Sequence, residues 1–364
     1  MILIEHFYPG FHHEDFHGRK VEEVFLEDCP INGYLVSYAF KSNYSQVWGG
    51  NVEDGRKHYS HHNLKLFGDS GAFSFINEDT PPISVSDVID FYNQIDVDIG
   101  SSLDHIVPDY DSGYDYFFGG ISAPQKYQDR LEITIENGSK FLEECKKQDV
   151  RFQPIGAVQG WSPNSYIECI QAFQKMGYKK IGLGGIAKLH WLKIVEILKS
   201  LKNIIGETEI HLFGVIQPRL LRAANLPNIT SVDGLGAMRN AVANYGQSYR
   251  YEEKYWQTFP SLDDLSEERR SSFERLMENQ SVSLKDIDPF ISELSNDYNL
   301  SKVSAAQRDL LLQRSLSERI WEKCPCSVCS DLGWRVLLND KRYNHSRGFH
   351  NIYRMGMELR SLCL

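Results

Sequence analysis

The feature of this sequence that most constrains its fold is an alternation of short apolar runs with amphipathic stretches between about residues 60 and 245. The apolar runs have the length of strands, and the stretches between them carry apolar residues at helical spacing, as residues 85–95 do. Strict strand–helix alternation predicts parallel strands joined by right-handed crossovers. Six or seven such units favour an α/β fold with a closed (β/α)8 barrel of the TIM type over an open sheet, an alternative that periodicity alone leaves open.

We predict four parts along the chain. Residues 1–60 form an N-terminal segment that leads into the barrel and contains an early strand within 33–40, and residues 61–248 form the barrel core. Between 249 and 320 the strand pattern ends and charged helical stretches follow, so we predict a helical insertion there. Residues 321–364 hold a cysteine cluster and a last helix, and they form a small C-terminal subdomain.

Polar or glycine-rich steps close the predicted strands. In chain order they are Asp69-Ser70-Gly71, Ser102-Leu103-Asp104, Val158-Gln159-Gly160, Leu183-Gly184-Gly185, Phe213-Gly214 and Val232-Asp233-Gly234. In a parallel barrel all of these strand ends meet at one rim, where the active sites of barrel enzymes lie. Turns favour aspartate and glycine for conformational reasons as well, so one such step has a structural explanation, whereas all of them together predict an active site.

The residue types at these strand ends suit chemistry on a nucleoside. Two carboxylates that face a sugar can cleave a glycosidic bond, because one attacks the anomeric carbon and the other transfers a proton. A third carboxylate can accept two parallel hydrogen bonds from the N–H edge of guanine, and a glutamine and backbone amides can bind the opposite edge. Aromatic rings can stack on the base.

Three of the seven cysteines are clustered, at Cys324, Cys326 and Cys329. The N-terminus has no basic segment followed by a long apolar run, and no stretch is long enough to cross a bilayer, so we expect a cytoplasmic protein without a membrane partner. In a reducing compartment a tight cysteine cluster indicates a metal more often than a disulfide. Three thiolates and a fourth ligand would close a tetrahedral, structural zinc (Zn2+) site.

The net charge of −10 argues against a protein that coats nucleic acid by bulk electrostatics. Basic residues between 340 and 360 form either a local basic patch or an ordinary solvated face. Two histidine groups, within 12–17 and 58–62, lack carboxylates at metal-ligand spacing. We therefore interpret these histidines as solvated loop residues, with contact to phosphate as the less favoured alternative.

Several motifs occur in the order in which the tRNA-guanine transglycosylase family carries them. They are Asp69-Ser70-Gly71-Ala72-Phe73, Asp104 with Pro108, Gly156-Ala157-Val158-Gln159-Gly160, Leu183-Gly184-Gly185-Ile186-Ala187, Phe213-Gly214-Val215, Asp233 with Arg239, and Cys324-x-Cys326-x-x-Cys329 followed by His350-Asn351. The chain resembles this family over roughly residues 64–245 and 321–355. Each motif is weak by itself, and their order together with the cysteine cluster makes the resemblance specific.

The resemblance implies a role for each matching residue. Asp233 would be the nucleophile that forms a covalent glycosyl-enzyme, Asp69 the general acid and base, and Asp104 the partner of the guanine N1 and 2-amino edge. The other implied contacts are Gln159, Gly185 and Ile186 on the opposite edge of the base, Phe73 and Phe213 stacked on it, Ser70 in support of the pocket, Arg239 on the nucleic acid, and His350 as the fourth zinc ligand with His345 as the alternative.

The sequence departs from the family's usual pattern at several positions. These departures bear on which nucleic acid is the substrate, and they leave the base-exchange residues intact. Ala72 stands where the family usually has a second glycine, and about 90 residues separate Asp233 from Cys324. Together with the start Phe7-Tyr8-Pro9-Gly10-Phe11-His12, these features look more like the DpdA-type DNA 7-deazaguanine transglycosylases. The resemblance thus implies a pentosyltransferase that exchanges guanine in nucleic acid for a free 7-deazaguanine base such as 7-cyano-7-deazaguanine. DNA is favoured over tRNA, and helper proteins that open a duplex are candidate partners.

Three alternatives remain at this point. The first is a tRNA-guanine transglycosylase of the queuosine or archaeosine type. The second is a non-catalytic nucleic-acid-binding subunit that keeps the barrel and the zinc, although the presence of both Asp69 and Asp233 argues against it. The third is a hydrolase of free nucleosides, which would release free sugar without any polymer.

Overall fold

The structure is a computed structural model that describes residues 2–6, 17–25, 28–43, 64–115, 122–243, 247–263, 265–279, 282–294 and 305–362. The chain divides into two compact units. The first contains Ile31–Gly234 together with the N-terminal strand, and the second contains Leu235–Ser361 together with the described residues between 17 and 30. Among the helices of the described ranges, none combines the length and the apolar character that a membrane span requires.

Eight parallel strands form a closed barrel in the first unit. They are β1 (Ile2–His6), β2 (Gly33–Ser37), β3 (Lys65–Asp69), β4 (Ile99–Ser101), β5 (Gln153–Val158), β6 (Lys180–Leu183), β7 (Glu209–Leu212) and β8 (Ile229–Gly234). Each strand pairs with the next one along the chain, and β8 closes the barrel by pairing with β1, where Asp233 aligns with Ile4. The expected (β/α)8 barrel is therefore confirmed.

Helices follow the barrel strands in the alternating order that the sequence predicts. After α1 (Val21–Phe25) in the second unit, the helices of the barrel are α2 (Val85–Ile95), α3 (Gln125–Gln148), α4 (Pro163–Met176), α5 (Trp191–Leu201) and α6 (Pro218–Ala224). Local residues set the ends of α4. The Ser162 side chain accepts a hydrogen bond from the Ser165 amide, and Gly177 ends the helix with φ 101°.

An apolar cluster lies inside the barrel below the strand ends. Leu35, Phe67, Ile99 and Ile155 form a buried cluster, against which Phe213 packs. Successive side chains of a strand point to opposite faces, so Asp69 faces the same interior as Phe67, two residues before it. The apolar cluster thus forms a floor beneath the polar side chains at the carboxyl ends of the strands.

The second unit contains more strands than expected. Its elements are α7 (Gly236–Ala243), β9 (Gln247–Tyr251), β10 (Lys254–Gln257), β11 (Phe259–Pro260), α8 (Glu267–Met277), α9 (Leu284–Leu294), α10 (Ala305–Glu318), α11 (Ser327–Leu332), β12 (Leu338–Asn339) and α12 (Lys341–Arg360). The expectation that strands end before residue 249 is wrong, because β9 and β10 form an antiparallel hairpin. The four-part domain division stays a prediction.

The turn of this hairpin explains why its strands were missed. Glu252 and Glu253 connect β9 to β10 with φ values of 49° and 60°. Two-residue hairpin turns with positive φ usually carry asparagine, aspartate or glycine. Two glutamates supply no such signal, so the segment reads as a charged helical stretch.

The basic tail is not a uniform surface patch. Arg347 is fully buried, and its guanidinium donates to the carbonyl oxygens of Val336 at 3.1 Å and Ala241 at 2.8 Å. Arg342, by contrast, is exposed and pairs with Asp263 at 2.9 Å. The interpretation of the tail as one solvated basic face is therefore wrong for Arg347, which holds α12 in place.

Candidate active site and metal centre

Three aspartates meet at the carboxyl end of the barrel. Asp69 ends β3, Asp104 follows β4 by three residues, and Asp233 lies near the end of β8. Asp233 is fully buried, Asp104 is 6% exposed, and Asp69 is partly exposed. Electrostatic repulsion acts between Asp69 and Asp233 and between Asp69 and Asp104. The fold therefore places Asp69 close enough to both Asp104 and Asp233 for their charges to influence ionisation.

Asp69 has the ionisation behaviour of an acid–base group. Burial raises its pKa to about 6, and the charge of Asp233 adds to the shift, whereas hydrogen bonds from Ser37 and the Gly71 amide oppose it. The Gly71 amide donates to Asp69 Oδ2 at 2.9 Å. A carboxyl group with a pKa near neutrality can both donate and accept a proton at physiological pH.

Asp104 is held by two side chains. Ser70 donates from Oγ to Asp104 Oδ1 at 3.2 Å, and Gln159 donates from Nε2 to Asp104 Oδ2 at 2.6 Å. Burial raises the pKa of Asp104 to about 6, and the charge of Asp69 raises it further, while the bonds from Gln159 and Ser70 lower it. Donors therefore occupy both carboxylate oxygens of Asp104 and fix its orientation.

Gln159 is fully buried, and its Oε1 has no partner among the described residues. Two glycines make room for its amide. A Cβ at Gly184 would lie 2.1 Å from Gln159 Nε2, and a Cβ at Gly185 would lie 2.7 Å from Oε1. Gly185 also has φ 72°, a conformation that side chains disfavour. An unpaired buried acceptor costs stability unless a ligand satisfies it, so the amide marks a polar binding position.

Asp233 is bound by a histidine that the sequence analysis did not single out. His211 Nε2 lies 2.9 Å from Asp233 Oδ1, and its Nδ1 lies 2.9 Å from Ser231 Oγ. The Gly214 amide donates to the same Oδ1 at 2.9 Å. The alternation of side chains along a strand could have indicated this pair. His211 stands two residues before Phe213, and Ser231 stands two residues before Asp233, so both occupy inward-facing positions of β7 and β8.

The two predicted stacking aromatics differ in exposure. Phe213 is half-buried, and its ring centroid lies 4.7 Å from that of His211. Phe73 is 54% exposed, and Lys188 Nζ lies 4.5 Å from the centre of its ring. Ile186, after Gly185, is fully buried. Phe213 therefore borders the part of the barrel interior that the aspartates face, whereas Phe73 stands at the outer edge of this region.

A four-residue cluster of metal-ligand type lies in the second unit. Cys324, Cys326, Cys329 and His350 are all buried, and their ligand atoms lie within 4.8 Å of one another. The three sulfur atoms are 3.5, 3.4 and 3.3 Å from His350 Nδ1. A tetrahedral zinc ion with bonds of about 2.3 Å to sulfur and about 2.0 Å to nitrogen separates these atoms by roughly 3.5 Å. The donor set therefore fits a metal ion.

Neighbouring residues orient the ligands. His350 Nε2 lies 2.7 Å from the Arg250 carbonyl oxygen, so Nε2 carries the proton and Nδ1 presents its lone pair to the sulfurs. The Tyr249 ring stacks on His350 at a centroid distance of 4.0 Å, and the Tyr249 hydroxyl lies 3.2 Å from Cys329 Sγ. The alternative ligand, His345, is outside the cluster.

Some residues singled out in the sequence lie elsewhere. Arg239 is exposed on α7 in the second unit. His12, His13, His58, His61, His62 and the segment Phe7–His12 lie outside the described residues.

Comparison with known proteins gives two relatives. No protein-family model matches the chain. The chain is 30% identical over 358 residues to a DNA-guanine transglycosylase of Salmonella montevideo, and the match covers 89% of this chain and 85% of that protein. It is 27% identical over 162 residues to the tRNA-guanine(15) transglycosylase of Nanoarchaeum equitans, over 42% of this chain and 35% of that protein.

The barrel, its carboxylates and these relatives together define a pentosyltransferase of the guanine transglycosylase class. The chain belongs to the tRNA-guanine transglycosylase superfamily, and the relative that matches 89% of it is a DNA-guanine transglycosylase. The resemblance that the motif order indicated is thereby confirmed.

Proposed function

We propose that this protein replaces guanine in DNA with a 7-deazaguanine, such as 7-cyano-7-deazaguanine, through a covalent intermediate on Asp233. The observation that carries the proposal is that Asp69, Asp104 and Asp233 lie at the carboxyl end of one barrel. The charge of Asp69 interacts there with those of the other two. Base exchange needs three such groups: one to attack the sugar, one to transfer a proton and one to bind guanine.

The exchange proceeds in two balanced half-reactions. A carboxylate oxygen of Asp233 attacks C1′, the C1′–N9 bond breaks with its electron pair on the base, and Asp69 donates a proton to the departing guanine. Asp69 then takes the N9 proton of the incoming 7-deazaguanine, whose N9 attacks C1′ and releases Asp233. The pKa of Asp69 near 6 suits this double use.

Base recognition divides between two side chains. Ionised Asp104 accepts hydrogen bonds from N1–H and the 2-amino group, while Ser70 holds its Oδ1. Gln159 and the backbone amides at Gly185 and Ile186 bind the opposite edge, and Phe213 and Phe73 stack on the ring. Gln159 Nε2 bonds Asp104 at 2.6 Å in the structure, so Gln159 engages O6 only when that bond opens.

We propose that the Cys3His cluster binds Zn2+ as a structural ion. Three thiolates and one imidazole are ligands that zinc prefers, and four protein ligands complete its tetrahedral shell. Such a closed site has no position for substrate. Reduced thiols of this kind suit the reducing cytoplasm.

DNA is the proposed polymer, and a direct comparison of substrates tests it. The relative that covers 89% of this chain is named for DNA, and we propose that Arg239 contacts the strand. The purified protein should incorporate labelled 7-cyano-7-deazaguanine into DNA faster than into tRNA when both are offered at equal concentration. Activity on single-stranded but not duplex DNA would point to helper proteins, because the target base must leave the stack. Incorporation into tRNA alone would refute the choice of DNA.

His211 is expected to position Asp233 for attack. The His211→Ala variant should lower kcat about 10- to 100-fold with little change in KM for the free base, because a hydrogen bond to a charged group contributes about 1.5–3 kcal/mol. The readout is the rate of adduct formation in a single turnover. His211→Gln, which can still donate to Asp233, should recover part of the loss. An unchanged adduct rate in His211→Ala would remove this role.

A further inference from the structure

A group of paired cations and aromatic rings lies on the loops that follow the barrel strands. We name it the cation–aromatic rim, and its members are Phe73, Tyr110, Lys188, Trp191, Lys193 and Arg219. Lys188 Nζ lies 4.5 Å from the Phe73 ring centre, Lys193 Nζ 5.4 Å from that of Tyr110, and Arg219 Cζ 4.8 Å from that of Trp191. The mechanism above uses none of these cations.

The rim stands at the same end of the barrel as the three aspartates. Phe73 follows β3, Tyr110 follows β4, Lys188 and Trp191 follow β6, and Arg219 follows β7. In a parallel barrel these loops all lie at the carboxyl ends of the strands. The rim therefore borders the face from which a substrate reaches Asp69.

The cations of the rim are exposed although the chain has a net charge of −10, whereas Tyr110 is buried and Trp191 is half-buried. Lys188, Lys193 and Arg219 are exposed and form no ion pair within the part of the chain that the structure describes. Four large apolar side chains are exposed among the described residues, and two of them, Phe73 and Leu192, stand here at 54% each. Among the acidic residues nearby, Glu196 accepts a hydrogen bond from the Tyr110 hydroxyl at 3.1 Å, and Asp109 accepts one from the Tyr127 hydroxyl at 2.7 Å.

We propose that the cation–aromatic rim binds the single-stranded DNA that flanks the exchanged nucleotide. The inference rests on the proposed function. Removing a base from the stack leaves its neighbours without a stacking partner, and exposed aromatic rings replace such partners while cations bind the phosphates. Half-buried Trp191 with exposed Arg219 supplies a ring–cation pair of this kind, and exposed Lys188 beside Phe73 supplies a further cation. A polyanion is thus the partner that the charge and the rings both fit.

Two variants with the same loss of charge test the proposal. The rim variant is Lys188→Gln/Lys193→Gln/Arg219→Gln. The control is Lys146→Gln/Lys175→Gln/Lys199→Gln, which changes exposed lysines near the C-terminal ends of α3, α4 and α5. These helices run back along the strands, so their C-terminal ends lie at the opposite end of the barrel.

The measurement is the fluorescence anisotropy of a labelled single-stranded oligonucleotide at several salt concentrations. The rim variant should bind roughly 100-fold more weakly at 0.1 M salt, with a salt slope reduced by about 2, because each phosphate contact on a single strand contributes about 0.7 to the slope. The control should bind like the unchanged protein. Trp191→Ala should weaken binding about 5- to 150-fold and leave the slope unchanged, because stacking involves no counterion release.

The outcomes separate the rim from the exchange reaction. Equal weakening by the rim variant and the control, or no weakening by either, would overturn the proposal. So would an effect of the rim variant on the molar mass in solution without an effect on DNA binding, since the surface would then join two copies of the chain. If the protein without substitutions exchanges no base, but the rim variant alone loses DNA binding, the result would support the role of the rim in DNA binding and refute the proposed function.

Discussion

Asp233→Asn is expected to lower the rate of base exchange at least about a thousandfold, because loss of a covalent nucleophile removes the pathway through the intermediate. The amide keeps the size of the carboxylate and retains an acceptor for His211 Nε2 and the Gly214 amide, which lie 2.9 Å from Oδ1 in the structure. The fold should therefore survive. The measurements are the incorporation of labelled base into the polymer and the yield of protein–nucleic acid adduct on a denaturing gel.

A matched control distinguishes the nucleophile from a general loss of charge. Asp90→Asn makes the same change at an exposed position of α2 and should exchange base at the normal rate. Asp69→Asn should also be slow, but through failure to protonate the departing guanine. If Asp233→Asn formed the adduct at the normal yield, another group would be the nucleophile and the mechanism would be wrong.

Removal of one ligand of the metal centre is expected to have the largest effect on stability. Cys329→Ser should release the metal and lower the free energy of unfolding of the second unit by more than about 4 kcal/mol, because metal binding to such a site is part of the folding free energy. The loss of stability should include the contacts of Tyr249 with the metal ligands, since its ring packs on His350 and its hydroxyl lies 3.2 Å from Cys329 Sγ. Zinc content by elemental analysis and denaturant unfolding followed by circular dichroism measure both effects.

Cys29→Ser is the control for this prediction. Cys29 is a partly buried cysteine of the same unit and stands outside the cluster, so its replacement should leave zinc content and unfolding unchanged. A chelator added in mild denaturant should destabilise the unchanged protein as the Cys329→Ser substitution does. Full zinc content in Cys329→Ser, or full stability after removal of zinc, would show that this cluster is not a structural metal site.

Most of the candidate site could be predicted from the sequence, because in a parallel barrel a residue at the carboxyl end of any strand lies at the same rim. Every strand of such a barrel ends at the same rim, so the sequence alone predicts that Asp69 and Asp233, 164 residues apart in the chain, lie close together. The cysteine spacing acted in the same way, since Cys324, Cys326 and Cys329 share one short segment. The fourth ligand, His350, came only from family resemblance.

Other features needed the tertiary structure. His211 is a single polar residue in an apolar strand, and only the register of β7 with β8, where His211 aligns with Ser231, makes it a partner of Asp233. Arginine is usually a surface residue, yet Arg347 is buried. Its guanidinium donates hydrogen bonds to the carbonyl oxygens of Val336, Leu338 and Ala241.

By itself, then, the order of residues determined the alternation of strands and helices, the residues that stand at the strand ends, and the chemistry that those residue types can perform. The tertiary structure decided which atoms meet: the bond from Gln159 to Asp104, the histidine beneath Asp233 and the carbonyl that orients His350. The physical reason is that strand and helix patterns depend on neighbours along the chain, whereas hydrogen bonds and burial depend on distances between elements that are far apart in sequence.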